Sequence, residues 1–237
     1  MTVRRWMSGL AAAVLAAATV AGAQQASFTV TQQGKPVGTA SCTFAQSAQG
    51  IESSALVQVK LQGLDYALSK TETLTAGREL THATVSATVN QQAVHVTAKP
   101  DAAQLLVNVS ANGRATTTRV EAHAHTVLLA DFDPGALETL LALAAAHNNR
   151  DLWVVIPKGT IAAVPVTLAT YADERGTLDG KPVTVRHLVA TMGPMRTDLF
   201  AGPANELLQA ELPQQGFALV RKGFVLTPPA KPAVPVQ

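Results

Sequence analysis

The residues best suited to chemistry in this chain form one short run, Glu121-Ala122-His123-Ala124-His125. If the run is a β-strand, Glu121, His123 and His125 share one face, because successive side chains alternate. His123 and His125 would then lie about 7 Å apart along the strand, close enough to hold one Zn²⁺ or Cu²⁺ between them. The pattern makes both residues candidate metal ligands. The alternative is that both are outward-facing polar residues without a ligand.

A metal site would need a third ligand from elsewhere in the fold. Glu121 is too far away, because two further strand residues place it about 13 Å from His125. The remaining histidines that could complete the site are His82, His95 and His187, and their sequence positions alone do not bring them near the run.

Motifs for nucleophilic or cofactor chemistry are missing from the sequence. Gly-x-Ser-x-Gly, Ser-x-x-Lys, His-Glu-x-x-His, a phosphate-binding glycine loop and Cys-x-x-Cys do not occur. Catalytic triads are assembled in space, so this does not exclude an enzyme. It favours a protein with neither catalytic residues nor a cofactor. The single cysteine, Cys42, is expected to be a small buried apolar residue.

The first 23 residues have the order of a secretory signal peptide. Arg4 and Arg5 precede an apolar run over 10–20, and Ala21-Gly22-Ala23 supplies a small-x-small cleavage site. The apolar run is short for a transmembrane helix, which needs about 20 residues. We therefore predict cleavage after Ala23, a periplasmic or secreted protein, and no stable membrane anchor after cleavage.

Charge and aromatic content exclude some classes of partner. The chain has 18 basic and 16 acidic residues, and loss of Arg4 and Arg5 leaves 16 of each sign. A balanced surface offers no electrostatic footprint for nucleic acid. Aromatic residues make up 4% of the chain, which weakens an assignment as a carbohydrate-binding module with an aromatic platform.

The elements that must position any site are mainly β-strands. Short Thr-, Val- and Ala-rich segments are separated by turn residues from Ser27 to about Leu129 and again after residue 150. Such spacing is typical of antiparallel all-β structure. Asn112-Gly113 and Asp179-Gly180 are strong hairpin turns. We predict a single highly curved antiparallel sheet, or an open barrel or half-barrel, because a sheet of this size curls to hide its edges.

One helix interrupts the strands at about 134–147. Asp133 is a good N-cap and Pro134 suits the first position of a helix. An apolar stripe follows at i, i+3, i+4 and i+7, and other leucines and alanines make the remaining faces apolar too. Such a helix is expected to be buried, either as a fixed plug or as a lid. The residues of the stripe are candidate contacts for an apolar ligand: Leu137, Leu140, Leu141 and Ala144.

The chain divides into three segments. They are the signal peptide at 1–23, one antiparallel β domain at 24–226, and a tail at 227–237. The tail contains four prolines, which do not pair in the interior of a sheet, so we expect it to be extended or flexible.

Two stretches resemble the DUF3108-like family of exported bacterial proteins of unknown function. The first is Phe28-Thr29-Val30 followed by the Gly34-Lys35-Pro36-Val37-Gly38 hairpin. The second runs from Asp198-Leu199-Phe200-Ala201 through 206–213, although the family usually has Trp and Val where Phe200 and Ala201 stand. The segment 180–189 is also similar to the family, in the strand that precedes its closing strands. The resemblance implies a curved antiparallel sheet similar to that of periplasmic lipoprotein carriers, and it implies no catalytic residue.

These observations favour a non-catalytic binding or scaffold protein that holds an apolar small molecule or lipid in a concave sheet. A first alternative is an envelope hydrolase or a metal-dependent protein that uses His123 and His125. A second is a component of an envelope assembly with a protein partner. A dry interior filled with side chains would argue against an apolar ligand inside the sheet.

Overall fold

The computed structural model describes residues 23–48 and 50–228. The predicted signal peptide and the Pro-rich tail lie almost entirely outside the described residues. No helix in the described part is long and apolar enough to cross a membrane.

The first half of the domain is a meander of eight antiparallel strands, each paired with its sequence neighbour. Along these strands buried and exposed residues alternate, most regularly in the third strand. The alternation gives the meander one apolar face and one polar face. The strands are β1 (Gln24–Gln32), β2 (Lys35–Ser47), β3 (Gly50–Leu61), β4 (Leu64–Leu74), β5 (Leu80–Val89), β6 (Gln92–Asp101), β7 (Gln104–Ala111) and β8 (Arg114–Glu121).

The second half adds nine strands and the single helix of the described chain. The strands are β9 (Thr126–Leu128), β10 (Leu152–Val155), β11 (Ala163–Thr170), β12 (Glu174–Leu178), β13 (Lys181–Met192), β14 (Met195–Ala201), β15 (Leu207–Leu212), β16 (Phe217–Arg221) and β17 (Phe224–Leu226), and the helix is α1 (Pro134–Ala146).

Pairing of β1 with β16 joins the two halves into one sheet. From β16 the sheet continues through β15, β14, β13, β11 and β10 to β9. Strand β8 forms one end and β9 the other, and the sheet is not closed into a barrel. The predicted fold class, one open and mainly antiparallel sheet with a single buried helix, is therefore confirmed.

One pair of strands departs from the antiparallel expectation. Strands β9 and β10 are parallel, and α1 lies between them in the chain. Parallel neighbours need a long crossover, and the helix provides it.

Helix α1 fills the interior of the curved sheet. Asp133 is the N-cap, and its Oδ1 accepts a hydrogen bond from the Ala136 N–H at 3.1 Å. Ten of its residues are buried, from Pro134 through Leu141 and again at Leu143 and Ala144. The predicted helix, its cap and its burial on nearly all faces are confirmed. The helix belongs to the main core together with the inward residues of the sheet.

A small second core lies on the other side of the sheet. Strand β12 pairs with the first half of β13 and with β17. The cluster they cover consists of Val185, Phe200, Leu208 and Phe224. The last two strands, β16 and β17, follow each other closely in the chain. They are separate because the chain turns at Gly223, whose φ of +81° suits glycine.

Candidate functional site

A long open trough lies on the polar face of the meander. Its volume is about 1100 Å³. Its floor consists of outward-facing side chains of β1 to β7, on the face opposite α1 and the core. This trough is the candidate functional site.

The register of the seven strands places one residue from each in a row across the floor. Each neighbour in this row is a direct cross-strand partner of the next. Strand spacing makes the row about 29 Å long. We call it the serine row, and it consists of Ser27, Ser41, Leu56, Ser69, Ser86, His95 and Ser110.

The serine row is polar but almost without charge. Lys222 is the single acidic or basic residue among the trough-lining residues apart from His95, and it lies beside Ser27, whose carbonyl accepts a hydrogen bond from the Lys222 N–H. Within the described structure, the hydroxyls of Ser27, Ser41, Ser69 and Ser110 make no hydrogen bond to protein. These groups are therefore free to bind a ligand or water.

Ser86 and His95 form the one side-chain pair in the row that could do chemistry. The Ser86 Oγ and the His95 Nδ1 are 3.2 Å apart on neighbouring strands. A serine–histidine nucleophile also needs a group that orients the imidazole and donors for an oxyanion. No carboxylate lines the trough as described, and the local backbone N–H groups belong to strand pairs. The pair fits ligand binding better than acyl transfer.

The interior beside α1 offers little space for a ligand. Leu137, Leu140, Leu141 and Ala144, the predicted apolar contacts, are all at most 5% exposed and pack in the core. A cavity beside the N-terminal end of α1 has a volume of about 60 Å³. Leu137 is the one residue of the apolar stripe that lines this cavity. These four residues thus form the packed core and not an open pocket.

The candidate metal ligands are placed differently from the sequence interpretation. Strand β8 ends at Glu121, so His123 and His125 do not share a strand face, and His125 has a φ of +56°. The His123 ring stacks on Trp153 with the ring centres 3.6 Å apart, whereas His125 stacks on His147 at the same distance. No three or more His, Cys, Asp and Glu side chains of the described residues form a group that could hold a metal.

The other three histidines considered as ligands lie in three different settings. His82 contacts the Thr84 hydroxyl at 3.2 Å, and His95 belongs to the trough. His187 bridges two carboxylates, with Nδ1 at 3.0 Å from Glu174 and Nε2 at 3.0 Å from Asp198. Its ring stacks on the rings of Tyr171 and Phe200.

The His187 cluster joins the small second core to the main sheet, because Glu174 begins β12 and Asp198 lies on β14. Asp198 is partly buried, which by itself would raise its pKa. Hydrogen bonds from Arg196 and His187 outweigh that effect and hold the pKa of Asp198 below its ordinary value. The sequence reasoning missed this cluster, since its acids lie 13 and 11 residues from His187 in the chain.

A second charged group lies inside the core, under the start of α1. The Lys70 Nζ donates to the Leu128 carbonyl at 2.6 Å, to Asp133 Oδ2 at 2.6 Å and to Glu72 Oε1 at 2.7 Å. Burial disfavours the charge on Lys70, but Asp133 and Glu72 outweigh it and hold its pKa above the ordinary value. Burial raises the pKa of Glu72 to about 7, although the charge of Lys70 acts in the opposite direction. All three Lys70 donors are satisfied, so the cluster anchors the helix.

Together these features define a class: an open, single-sheet β protein with a helix-filled interior and a hydroxyl-lined trough on its outer face. No family model, no curated protein and no solved structure matches this chain. Its similarity to the DUF3108-like family therefore stays a prediction.

Proposed function

We propose that this chain is an exported, non-catalytic binding protein whose ligand lies in the trough on the polar face of the sheet. The observation that carries the proposal is the trough itself, about 1100 Å³ in volume and crossing seven strands. Ligand sites are concave, and a small number of placed polar groups in them fix the orientation of the ligand. The free hydroxyls of the serine row are such groups.

The trough is a better candidate for the ligand site than the apolar stripe of α1. An apolar molecule inside the sheet would have to displace Leu140 and Leu141, which are each 1% exposed. Displacing packed leucines costs several kcal/mol, typically about 2–5 for each side chain lost from a core. A ligand in the trough leaves this core intact.

The metal-dependent alternative has less support than the binding function. His123 and His125 are each stacked on a different aromatic partner, Trp153 and His147. The two histidines also do not share a strand face, because strand β8 ends at Glu121.

Native mass spectrometry of the protein, purified gently from the periplasm of its host, tests the proposal. We expect a non-covalent adduct on the wild-type protein. Ser69→Arg, which places a long charged side chain in the middle of the trough floor, should abolish it. Thr167→Arg is the matched control, because Thr167 is an exposed strand residue outside the trough, and it should keep the adduct.

Two results would contradict the proposal. One is a bare mass for the wild-type protein from its native host. The other is an adduct that Ser69→Arg retains as fully as Thr167→Arg does, because the ligand would then lie elsewhere.

A further inference from the structure

We infer that the ligand of the trough is an uncharged, hydroxyl-rich chain, namely a neutral oligosaccharide that lies across the strands. This inference rests on the proposed function, since it names the class of molecule that the same trough would bind. It is carried by the charge, the hydrogen-bonding groups and the shape of the floor.

The charge of the lining is the first argument. Among the lining residues that the structure describes, there is no Asp, Glu or Arg, and Lys222 stands at one end of the serine row. An anionic chain about 29 Å long would therefore meet one cation, and a cationic chain would meet no anion. An acidic polymer binds where several Lys or Arg side chains pair with its charges. The lining suits a molecule without charge.

The hydrogen-bonding groups of the lining are the second argument. A serine or threonine hydroxyl both donates and accepts, and a glutamine or asparagine amide does the same through two different atoms. The trough presents such groups along its whole length, from Ser27 at one end to Asn112 at the other. A polyol also donates and accepts at every hydroxyl, so it can satisfy either orientation of each group.

An apolar chain would fit this lining poorly. Covering the serine row with hydrocarbon would remove water from hydroxyls that have no protein partner. Each polar group left unsatisfied in this way costs about 1–3 kcal/mol. Four free hydroxyls in one row therefore oppose the binding of a lipid tail at this face.

Leu56 is the apolar contact that a sugar chain needs. It lies in the serine row between Ser41 and Ser69, and 58% of its surface is exposed. The C–H faces of a sugar ring can pack on such a side chain. Aromatic rings usually take this role, and the one aromatic residue in the lining, Phe28, is fully buried. We therefore expect binding that depends on Leu56.

Chemical-shift titration of the ¹⁵N-labelled protein tests the inference. The probes are maltohexaose, cellohexaose and chitohexaose, with hexagalacturonate as the acidic comparison and palmitate as the apolar one. We expect at least one neutral hexasaccharide to shift amides along the serine row, and hexagalacturonate and palmitate to leave them unchanged. Leu56→Ala should raise the Kd of that sugar roughly tenfold, since the removed methyl groups no longer pack on it.

Val225→Ala is the matched control. Val225 is an aliphatic residue of β17 that is 63% exposed and lies outside the trough lining, so this variant should bind as the wild type does. A Leu56→Ala variant that binds the sugar unchanged would overturn the inference.

The two proposals fail in different ways. If hexagalacturonate or palmitate binds the serine row and the neutral sugars do not, the inference is wrong and the trough remains a binding site. If no probe binds and the native protein also carries no adduct, both are wrong. Sugar binding that shifts amides only outside β1 to β7 would likewise overturn the inference.

Discussion

Lys70 and Asp133 form a fully buried ion pair, with Nζ and Oδ2 2.6 Å apart, that ties strand β4 to the first turn of α1. The same carboxylate caps the helix through its other oxygen. One residue thus sets both the start of the helix and its position against the sheet.

Asp133→Ala should lower the free energy of unfolding by about 3–5 kcal/mol. The substitution leaves the Lys70 charge buried without its strongest partner, which is the costly way to break a buried pair, and it removes the helix cap. Urea unfolding followed by circular dichroism measures the change. Asp131→Ala is the control, because its pair with Lys158 is exposed on both sides and should contribute less than about 1 kcal/mol. Equal effects of the two variants would contradict the anchoring role.

Leu140→Ala should destabilise the protein by about 2–5 kcal/mol, because it opens a cavity in the packed core. Leu56→Ala removes the same atoms from an exposed position, and surface substitutions usually change stability by about 0.5 kcal/mol or less. Thermal and urea unfolding of the two variants compare them directly. If Leu140→Ala has as small an effect as Leu56→Ala, the helix is not a fixed part of the core.

Glu72 should make stability fall as the pH rises from about 5 to 7. Its pKa in the folded protein is about 7, against a usual value of 4.5. Between these values the folded state holds more protons than the unfolded state, so raising the pH favours unfolding. Below the lower value both states are protonated, and the contribution is constant.

Glu72→Gln removes this titration, so its stability relative to the wild type should rise as the pH goes from 5 to 7. Urea unfolding at a series of pH values measures the difference between the two proteins. A difference that stays constant or falls over this range would show that burial does not raise the pKa of Glu72.

Cys42 should be inert to thiol reagents in the folded protein. Burial raises the pKa of its thiol well above the ordinary value, and the nearby Glu138 and Asp133 carboxylates add to the effect. Thiolate is the reactive form. Reaction with Ellman's reagent at pH 8 should therefore be slow in buffer and fast in denaturing urea. Fast labelling of the folded protein would indicate an opening of the sheet over α1.

Much of the local structure follows from patterns in the sequence. Strands with alternating apolar residues, turns at Asn112-Gly113 and Asp179-Gly180, and the capped apolar helix after Asp133 all formed as predicted. Each of these depends on residues close together in the chain, whose backbone preferences and periodicity act locally. The buried charges are also visible in the alternation pattern of β4. Lys70 and Glu72 occupy inward positions of this strand, between Leu68 and Leu74.

The expectation that His123 and His125 share a strand face is wrong for a local reason. Alternation continues through Glu121, but the chain then turns, and His125 adopts a left-handed conformation. Nothing in the residue types at 122–125 marks the end of the strand. Strand β8 ends there because its partner β7 begins at Gln104, the cross-strand partner of Glu121, and this pairing exists only in the folded sheet.

The sequence by itself determined the strands, the helix and the polar face of each strand, since these depend on neighbours in the chain. Only the tertiary structure decided which side chains meet across strands: the serine row, the Lys70–Asp133 pair and the carboxylates on either side of His187. These contacts depend on register, and a shift of one residue in a single strand would turn its hydroxyls into the core. Register in turn depends on the turns that join the strands and on which face of each strand packs against the core.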